Sequence, residues 1–93
     1  MKTIDLKFNK SLIALAGNPF GRNTFKDQVA PHLEGENEFC IVFPNQIEMI
    51  ASSFVQGFFA HWLQEYGVDG VFQHVQIKAK NDDVVKRICE NLI

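Results

Sequence analysis

Residues 39–43, Phe-Cys-Ile-Val-Phe, form a continuous apolar run, and this run restricts the fold more than any other feature of the sequence. A strand with one face in water alternates apolar and polar side chains, whereas a strand buried on both faces is apolar throughout. The run therefore predicts a central strand of a covered sheet. A chain of 93 residues has room for one domain, so we assign residues 1–93 to a single unit.

The first third of the chain mixes strand and turn signals. Apolar and polar residues alternate over residues 4–8, which predicts a half-buried strand, and a turn would lead into a second strand over 11–15 to give an N-terminal hairpin. Residues 17–23 are dense in turn formers and predict a loop. Thr24, followed by Asp27, resembles a capping box at the start of a helix that extends to about residue 33.

The remaining two thirds contain clearer helical patterns. Apolar residues at helical spacing predict a helix over residues 52–66, which ends at Gly67. A further strand is predicted over 71–77, and Asn81 is placed to cap a last helix over 82–92. The order ββαβαβα predicts an α/β fold, a mixed sheet of about four strands with helices packed on it.

Composition argues against several classes of partner. The formal net charge is −2 with scattered Lys and Arg, so nucleic-acid binding is not expected. No apolar stretch is long enough to span a membrane, and residues 1–8 do not have the pattern of a signal peptide. A cytoplasmic location with no membrane contact follows by default. Cys40 and Cys89 are then expected to be buried reduced thiols, with a disulfide or a reactive thiol as alternatives.

The sequence contains no recognisable catalytic or metal-binding pattern. His32, His61 and His74 lack metal-ligand spacing with one another or with the cysteines. No Ser-His-Asp or Cys-His set can be placed, and Asp82 and Asp83 suit the first turn of a helix. We therefore expect a protein that is not an enzyme and needs no metal or other cofactor.

The segment Phe43-Pro-Asn-Gln-Ile-Glu-Met-Ile-Ala-Ser-Ser-Phe54 resembles the strand, loop and helix start of STAS domains, the anti-sigma factor antagonist family. It is more closely similar to a family of STAS-like domains of unknown function (DUF4325). Members of that family also carry a Gly-rich turn with an arginine upstream, as in residues 17–22, and a strand and terminal helix downstream, as in residues 71–93. The resemblance implies a STAS-like fold and a role in binding other proteins.

In the antagonists, a serine at this helix start is phosphorylated by a partner kinase, and phosphorylation switches partner binding. Ser53 matches that serine by position, and Ser52 is its neighbour. This chain differs from the antagonists at three places. Ala51 stands where they carry an acid, Phe54 where they carry a glycine, and Phe43 where an acid ends their strand.

The residues themselves support the same candidates. A helix N-terminus carries partial positive charge, so Ser52 and Ser53 are candidates for a partner contact or phosphorylation switch, and plain helix capping is the alternative. Gln56 is expected beside them on the exposed face of the helix. Arg22 is a candidate anion contact, and the alternative is an ordinary turn in which Arg22 pairs with a neighbouring carboxylate.

Two functions follow as expectations. The first is a regulatory protein-interaction module, and its STAS-like relatives imply a kinase-type ATPase as one kind of partner. The alternative is an inhibitor encoded by a phage or mobile element that blocks a larger host complex by surface binding. The apolar stripe of the 52–66 helix is broad, which leaves open a partner or homodimer surface that includes Phe58 or Trp62.

Overall fold

The computed structural model describes all residues from Met1 to Ile93. It contains five short strands and four α-helices, the first of which continues into a π-helix and a 3-10 turn. Their bounds are β1 Lys2–Asp5, β2 Ala14–Leu15, α1 Asn18–Thr24, the π-helix Phe25–Val29, the 3-10 turn Ala30–His32, β3 Phe39–Val42, β4 Met49–Ile50, α2 Ser52–Phe58, α3 Ala60–His74, β5 Val75–Lys78 and α4 Asp82–Leu92.

The main sheet has the order β1-β3-β5, and all its strands run parallel. Strand β3 lies in the centre, where Ile41 is paired with Ile4 of β1 and Ile77 of β5. Phe39, Cys40 and Ile41 are consecutive and all buried, because helices and loops cover both faces of this strand. The predictions of an α/β fold and of a central buried strand are confirmed.

A second, smaller sheet pairs β2 with β4, again in parallel. The predicted N-terminal hairpin is therefore wrong, and the sheets have three and two strands, where we expected one mixed sheet of about four. Strand β1 has a free edge to which a hairpin partner could pair. The side-chain amide of Gln46 instead binds the 9–12 connection to the loop before β4. Its Nε2 donates to the carbonyl oxygens of Asn9 at 2.6 Å and Leu12 at 2.9 Å.

The helix predicted from Thr24 begins six residues earlier, at Asn18, so the predicted loop over 17–23 is also wrong. Thr24 is buried inside this helix, and its Oγ1 donates to the carbonyl oxygen of Phe20 at 2.8 Å instead of capping a helix start. Pro31 lies in the 3-10 turn at the end of the helical segment, since proline cannot continue a helix.

The apolar stripe predicted over residues 52–66 is divided between α2 and α3, which meet at Phe59. Phe58 and Trp62 are 0% and 1% exposed, so the expected partner or dimer surface at these residues is wrong. They lie in one core cluster of 20 buried residues. Their rings are 6.4 Å apart between centroids, within the range of favourable aromatic contacts.

Gly67 ends the helix that begins at Ala60, as predicted, although a second helix follows directly and α3 comprises both. It has a φ of 73°, which favours glycine, and the chain then resumes a helix that includes buried Val71 and runs to His74. The strand predicted over 71–77 is consequently shorter, Val75–Lys78. No helix in the structure is both long and apolar enough to cross a membrane.

The last helix, α4, agrees closely with its prediction. The N–H group of Val84 donates to Asn81 Oδ1 at 3.0 Å, which satisfies one of the free N–H groups of the first turn. Val84, Ile88 and Leu92 are buried at helical spacing. The helix therefore closes the core next to α2 and β4.

Candidate partner-binding surface

Two helices begin side by side at one edge of the small sheet. Strand β2 leads through Gly17 into α1, and β4 leads through Ala51 into α2. Because β2 and β4 are parallel, their carboxyl ends lie at the same edge, and so do the helix starts. The Gly17 N–H group donates to Ser53 Oγ at 2.9 Å, which joins the two starts directly.

The two helices approach each other at a pair of glycines. A Cβ atom on Gly21 would lie 2.7 Å from the backbone nitrogen of Phe58 and even closer to the carbonyl oxygen of Phe54. A Cβ atom on Gly57 would lie 3.0 Å from the carbonyl carbon of Asn18. The backbones of α1 and α2 are therefore in contact, and neither position has space for a side chain.

The structure places both candidate serines in the first turn of α2, exposed to solvent. Ala51 occupies the N-cap position, and no side chain caps this helix. The capping interpretation of Ser52 and Ser53 is therefore wrong, since the hydroxyl group of Ser53 faces α1. Whether either serine contacts a partner or is phosphorylated stays a prediction.

Gln56 is also exposed, but its Nε2 donates to the carbonyl oxygen of Asn91 near the end of α4. It thus connects α2 to α4, and it is a neighbour of Ser52 and Ser53 on the helix surface because it follows them by four and three residues. Ala60, one helical turn after Gln56, is half-buried. Ser52, Ser53 and Gln56 are therefore all exposed on α2, as predicted.

Arg22 lies within α1 and is exposed. Its Nε donates to Asn18 Oδ1 at 2.7 Å, one helical turn earlier. The alternative prediction, a turn in which Arg22 pairs with a carboxylate, is wrong. No hydrogen bond joins Arg22 to Ser52 or Ser53, so the structure brings these candidates onto neighbouring helices without bringing them into contact.

The largest opening in the molecule was not predicted from the sequence. It is a cleft of about 330 Å³ between the 7–12 connection and the face of α1 and the π-helix. Its apolar wall is formed by Phe8, Leu12 and Phe20. The polar residues around it are Lys7, Asn9, Asn23, Thr24, Asp27 and Gln28.

The two walls of this cleft are held together by one side chain. Gln28 Oε1 accepts from the N–H group of Lys7 at 2.7 Å, and Gln28 Nε2 donates to the carbonyl oxygen of Lys7 at 2.8 Å. A single amide thus replaces the pair of bonds that a neighbouring strand would make. Gln28 belongs to the π-helix, a rare conformation that occurs frequently at functional sites.

The cleft is continuous with the start of α2 through aromatic contacts. The ring of Phe20 lies 5.4 Å from that of Phe54 in α2 and 6.0 Å from that of Phe8. Phe54 is fully buried, whereas Phe20 is 37% exposed at the rim.

The local sequence did contain a signal for the α1 helix, because Gly17 and Pro19 are residue types that favour the N-cap and the first turn.

The remaining titratable candidates are dispersed. No group of three or more His, Cys, Asp or Glu side chains could hold a metal ion. His61 Nε2 lies 3.2 Å from Glu65 Oε2 at the surface, and the ring of His74 stacks on that of Tyr66.

The two cysteines are not joined to each other. Cys40 is buried in β3 and Cys89 is half-buried in α4, and both are free thiols. Burial raises the pKa of the Cys89 thiol, so the protonated form is favoured there.

Comparisons with known proteins leave the family open. No protein-family model matches the chain, and no curated protein or solved structure is significantly similar to it.

Proposed function

We propose that this chain is a non-catalytic, regulatory protein-interaction module whose cleft and adjoining helix starts bind a partner protein. The observation that carries the proposal is the open cleft of about 330 Å³ with the exposed ring of Phe20 at its rim. Exposed aromatic rings and arginines are typical of protein interfaces, and Arg22 is exposed on the same helix. A large side chain of the partner would fill the apolar part of the cleft.

The rigidity of this surface supports the proposal. The glycine contact between α1 and α2 and the bond from Gly17 to Ser53 hold the two helix starts. The double hydrogen bond of Gln28 holds the opposite wall of the cleft. A surface that is already ordered loses less conformational entropy when a partner binds.

Ser53 supplies a route for regulation, as the resemblance to STAS domains implies. A phosphate on its exposed hydroxyl would add a charge of about −1.5 to −2 next to two helix N-termini, where negative charge is favoured. The bond from the Gly17 N–H group would change at the same time, next to Phe20 in α1. Phosphorylation would therefore alter both the charge and the local structure of the proposed surface, and a kinase-type ATPase is one kind of partner that would use such a switch.

The first experiment is affinity capture from lysate of the source cells with matched charge-reversal variants. Asp27 lines the cleft and makes no ion pair, so Asp27→Lys should keep the fold and block capture of the partner. Asp69 is an exposed acid outside the cleft, so Asp69→Lys should capture as much partner as the wild type. Equal capture by both variants would rule out the cleft as the binding surface.

The second experiment measures binding of the captured partner by calorimetry. Ser53→Ala should lose the bond to Gly17 and about 1 kcal/mol of stability. If Ser53 is a switch, Ser53→Asp should change partner affinity by more than its melting curve explains. Equal affinities for the wild type and both variants would contradict the proposal that Ser53 is a switch. Turnover of a nucleotide or ester by the purified protein, abolished by a single substitution, would contradict the non-catalytic role.

A further inference from the structure

Two charged side chains without ion-pair partners lie on opposite walls of the cleft. Lys7 belongs to the 7–12 connection and Asp27 to the π-helix, and both are exposed. Gln28 joins the two walls at this point, because it binds both main-chain groups of Lys7 and follows Asp27 directly in the sequence. A base and an acid are therefore held beside one fixed amide, and the protein itself neutralises neither charge.

The cleft is aromatic two helical turns away from these charges. Phe20 precedes Asp27 by seven residues, or about 10 Å along the helical segment, and both residues line the cleft. The ring of Phe20 lies 6.0 Å from the ring of Phe8, and Leu12 completes the apolar wall. A ligand that spans the cleft therefore needs a large apolar group at one end and groups of both charges at the other.

We propose that the cleft binds a free amino acid with an aromatic side chain. Asp27 pairs with the α-ammonium group of the ligand and Lys7 with its α-carboxylate, while the ring of the ligand packs against Phe20. A free amino acid carries both charges on a single carbon atom, whereas a residue inside a peptide carries neither on its main chain. The cleft volume, about 330 Å³, is near the lower end of the range of about 300–1,000 Å³ for small-molecule sites, as suits so small a ligand.

The ligand occupies the apolar part of the cleft that a side chain of the partner protein would fill. It would therefore compete with the partner and make partner binding depend on the concentration of the amino acid, and this consequence alone rests on the proposed function. Because both charges are exposed to solvent and a ligand of about twelve non-hydrogen atoms makes few contacts, its Kd should be about 0.1–1 mM. A ligand of this affinity is released as its concentration falls.

The test is an NMR titration of the purified full chain with L-phenylalanine, in which the backbone amide shifts of the cleft residues report binding. L-Alanine lacks the ring and should bind about 10- to 100-fold more weakly. N-acetyl-L-phenylalanine lacks the ammonium group, and L-phenylalaninamide lacks the carboxylate. Each of these two compounds should bind about fivefold to tenfold more weakly than phenylalanine, because one charged contact is lost at an exposed site.

Matched variants assign each charge of the ligand to one side chain. Asp27→Asn should weaken the binding of phenylalanine by about fivefold to tenfold but leave the binding of N-acetyl-L-phenylalanine unchanged, because the acetylated compound has no ammonium group. Lys7→Met should weaken the binding of phenylalanine to a similar extent and leave that of L-phenylalaninamide unchanged. Asp69→Asn removes an exposed acid outside the cleft, so it should change the binding of none of these compounds.

The proposal would be overturned if phenylalanine did not bind at concentrations up to about 10 mM. Equal weakening of phenylalanine and its acetylated form by Asp27→Asn would also overturn it. N-acetyl-L-phenylalaninamide resembles a residue inside a peptide, and if it bound at least as tightly as phenylalanine, the cleft would be assigned to a peptide segment instead. These titrations need no partner protein, so their failure is distinguishable from failure of the proposed function, which the capture experiment with Asp27→Lys tests.

Discussion

Gly57→Ala should destabilise the protein although alanine is the better helix former. A methyl group at Gly57 would press on the carbonyl group of Asn18, with the carbonyl carbon at 3.0 Å and Cα at 3.1 Å. All of these are backbone atoms of α1, so they cannot move aside as a side chain would. The only relief is a displacement of α1 relative to α2.

The magnitude is a balance of two opposing effects. Overpacking of an interior costs about 1–3 kcal/mol, and a clash against backbone belongs near the upper value. Replacement of glycine by alanine within a helix contributes about 1 kcal/mol in the other direction. The net loss is about 2 kcal/mol, a large part of the roughly 5–14 kcal/mol expected for a chain of this length. The melting temperature should fall by about 8–16 °C.

Urea unfolding monitored by circular dichroism measures this loss, with Gly21→Ala and the double variant alongside. A single displacement of α1 relieves both clashes, so the double variant should lose less stability than the sum of the two single losses. Gly35→Ala is a control without a clash, because nothing lies near its Cβ and only its φ of 79° opposes alanine. A Gly57→Ala variant more stable than the wild type would refute the close contact between the helices.

Two further predictions concern α4. Asn81→Ala should lower the free energy of unfolding by about 1 kcal/mol, because the Val84 N–H group loses its acceptor. Asn81→Asp should retain the cap. Thermal melting curves of both variants test this prediction. The raised pKa of Cys89 means that the folded protein holds the thiol proton more tightly than the unfolded chain. Stability should therefore decrease as pH rises above the ordinary pKa of a cysteine thiol, and urea unfolding across that pH range should show a smaller decrease in Cys89→Ala.

Local sequence patterns were sufficient to predict those helices and strands whose conformation depends on their own segment alone. The apolar run at 39–43 predicted the central strand because burial on both faces requires apolar side chains at every position. The α4 helix was predicted with its cap because the stripe and Asn81 belong to one short segment. Neither inference required knowledge of which distant residues would be neighbours.

Local patterns failed where a distant contact decides the conformation. Residues 17–23 are rich in glycine, proline and asparagine, which is typical of a loop, yet α1 forms there because it packs against α2. The predicted hairpin failed for a similar reason, since buried Leu15 and Ile50 are paired across a separation of 35 residues. Intrinsic preferences are weak compared with the free energy of burying such residues.

The candidate surface depends on the same kind of contact, and this explains why only part of it could be predicted. The resemblance located Ser53 at a helix start, but its hydrogen-bond partner lies 36 residues away at Gly17. The cleft depends on Gln28, which binds the main chain of Lys7 across 21 residues. Gly21 and Gly57 matter because they lack a side chain, and a search for chemically active side chains does not detect such positions. Substitutions that add a single methyl group where two backbones meet therefore test the helix contact that holds this surface, and they leave its reactive groups unchanged.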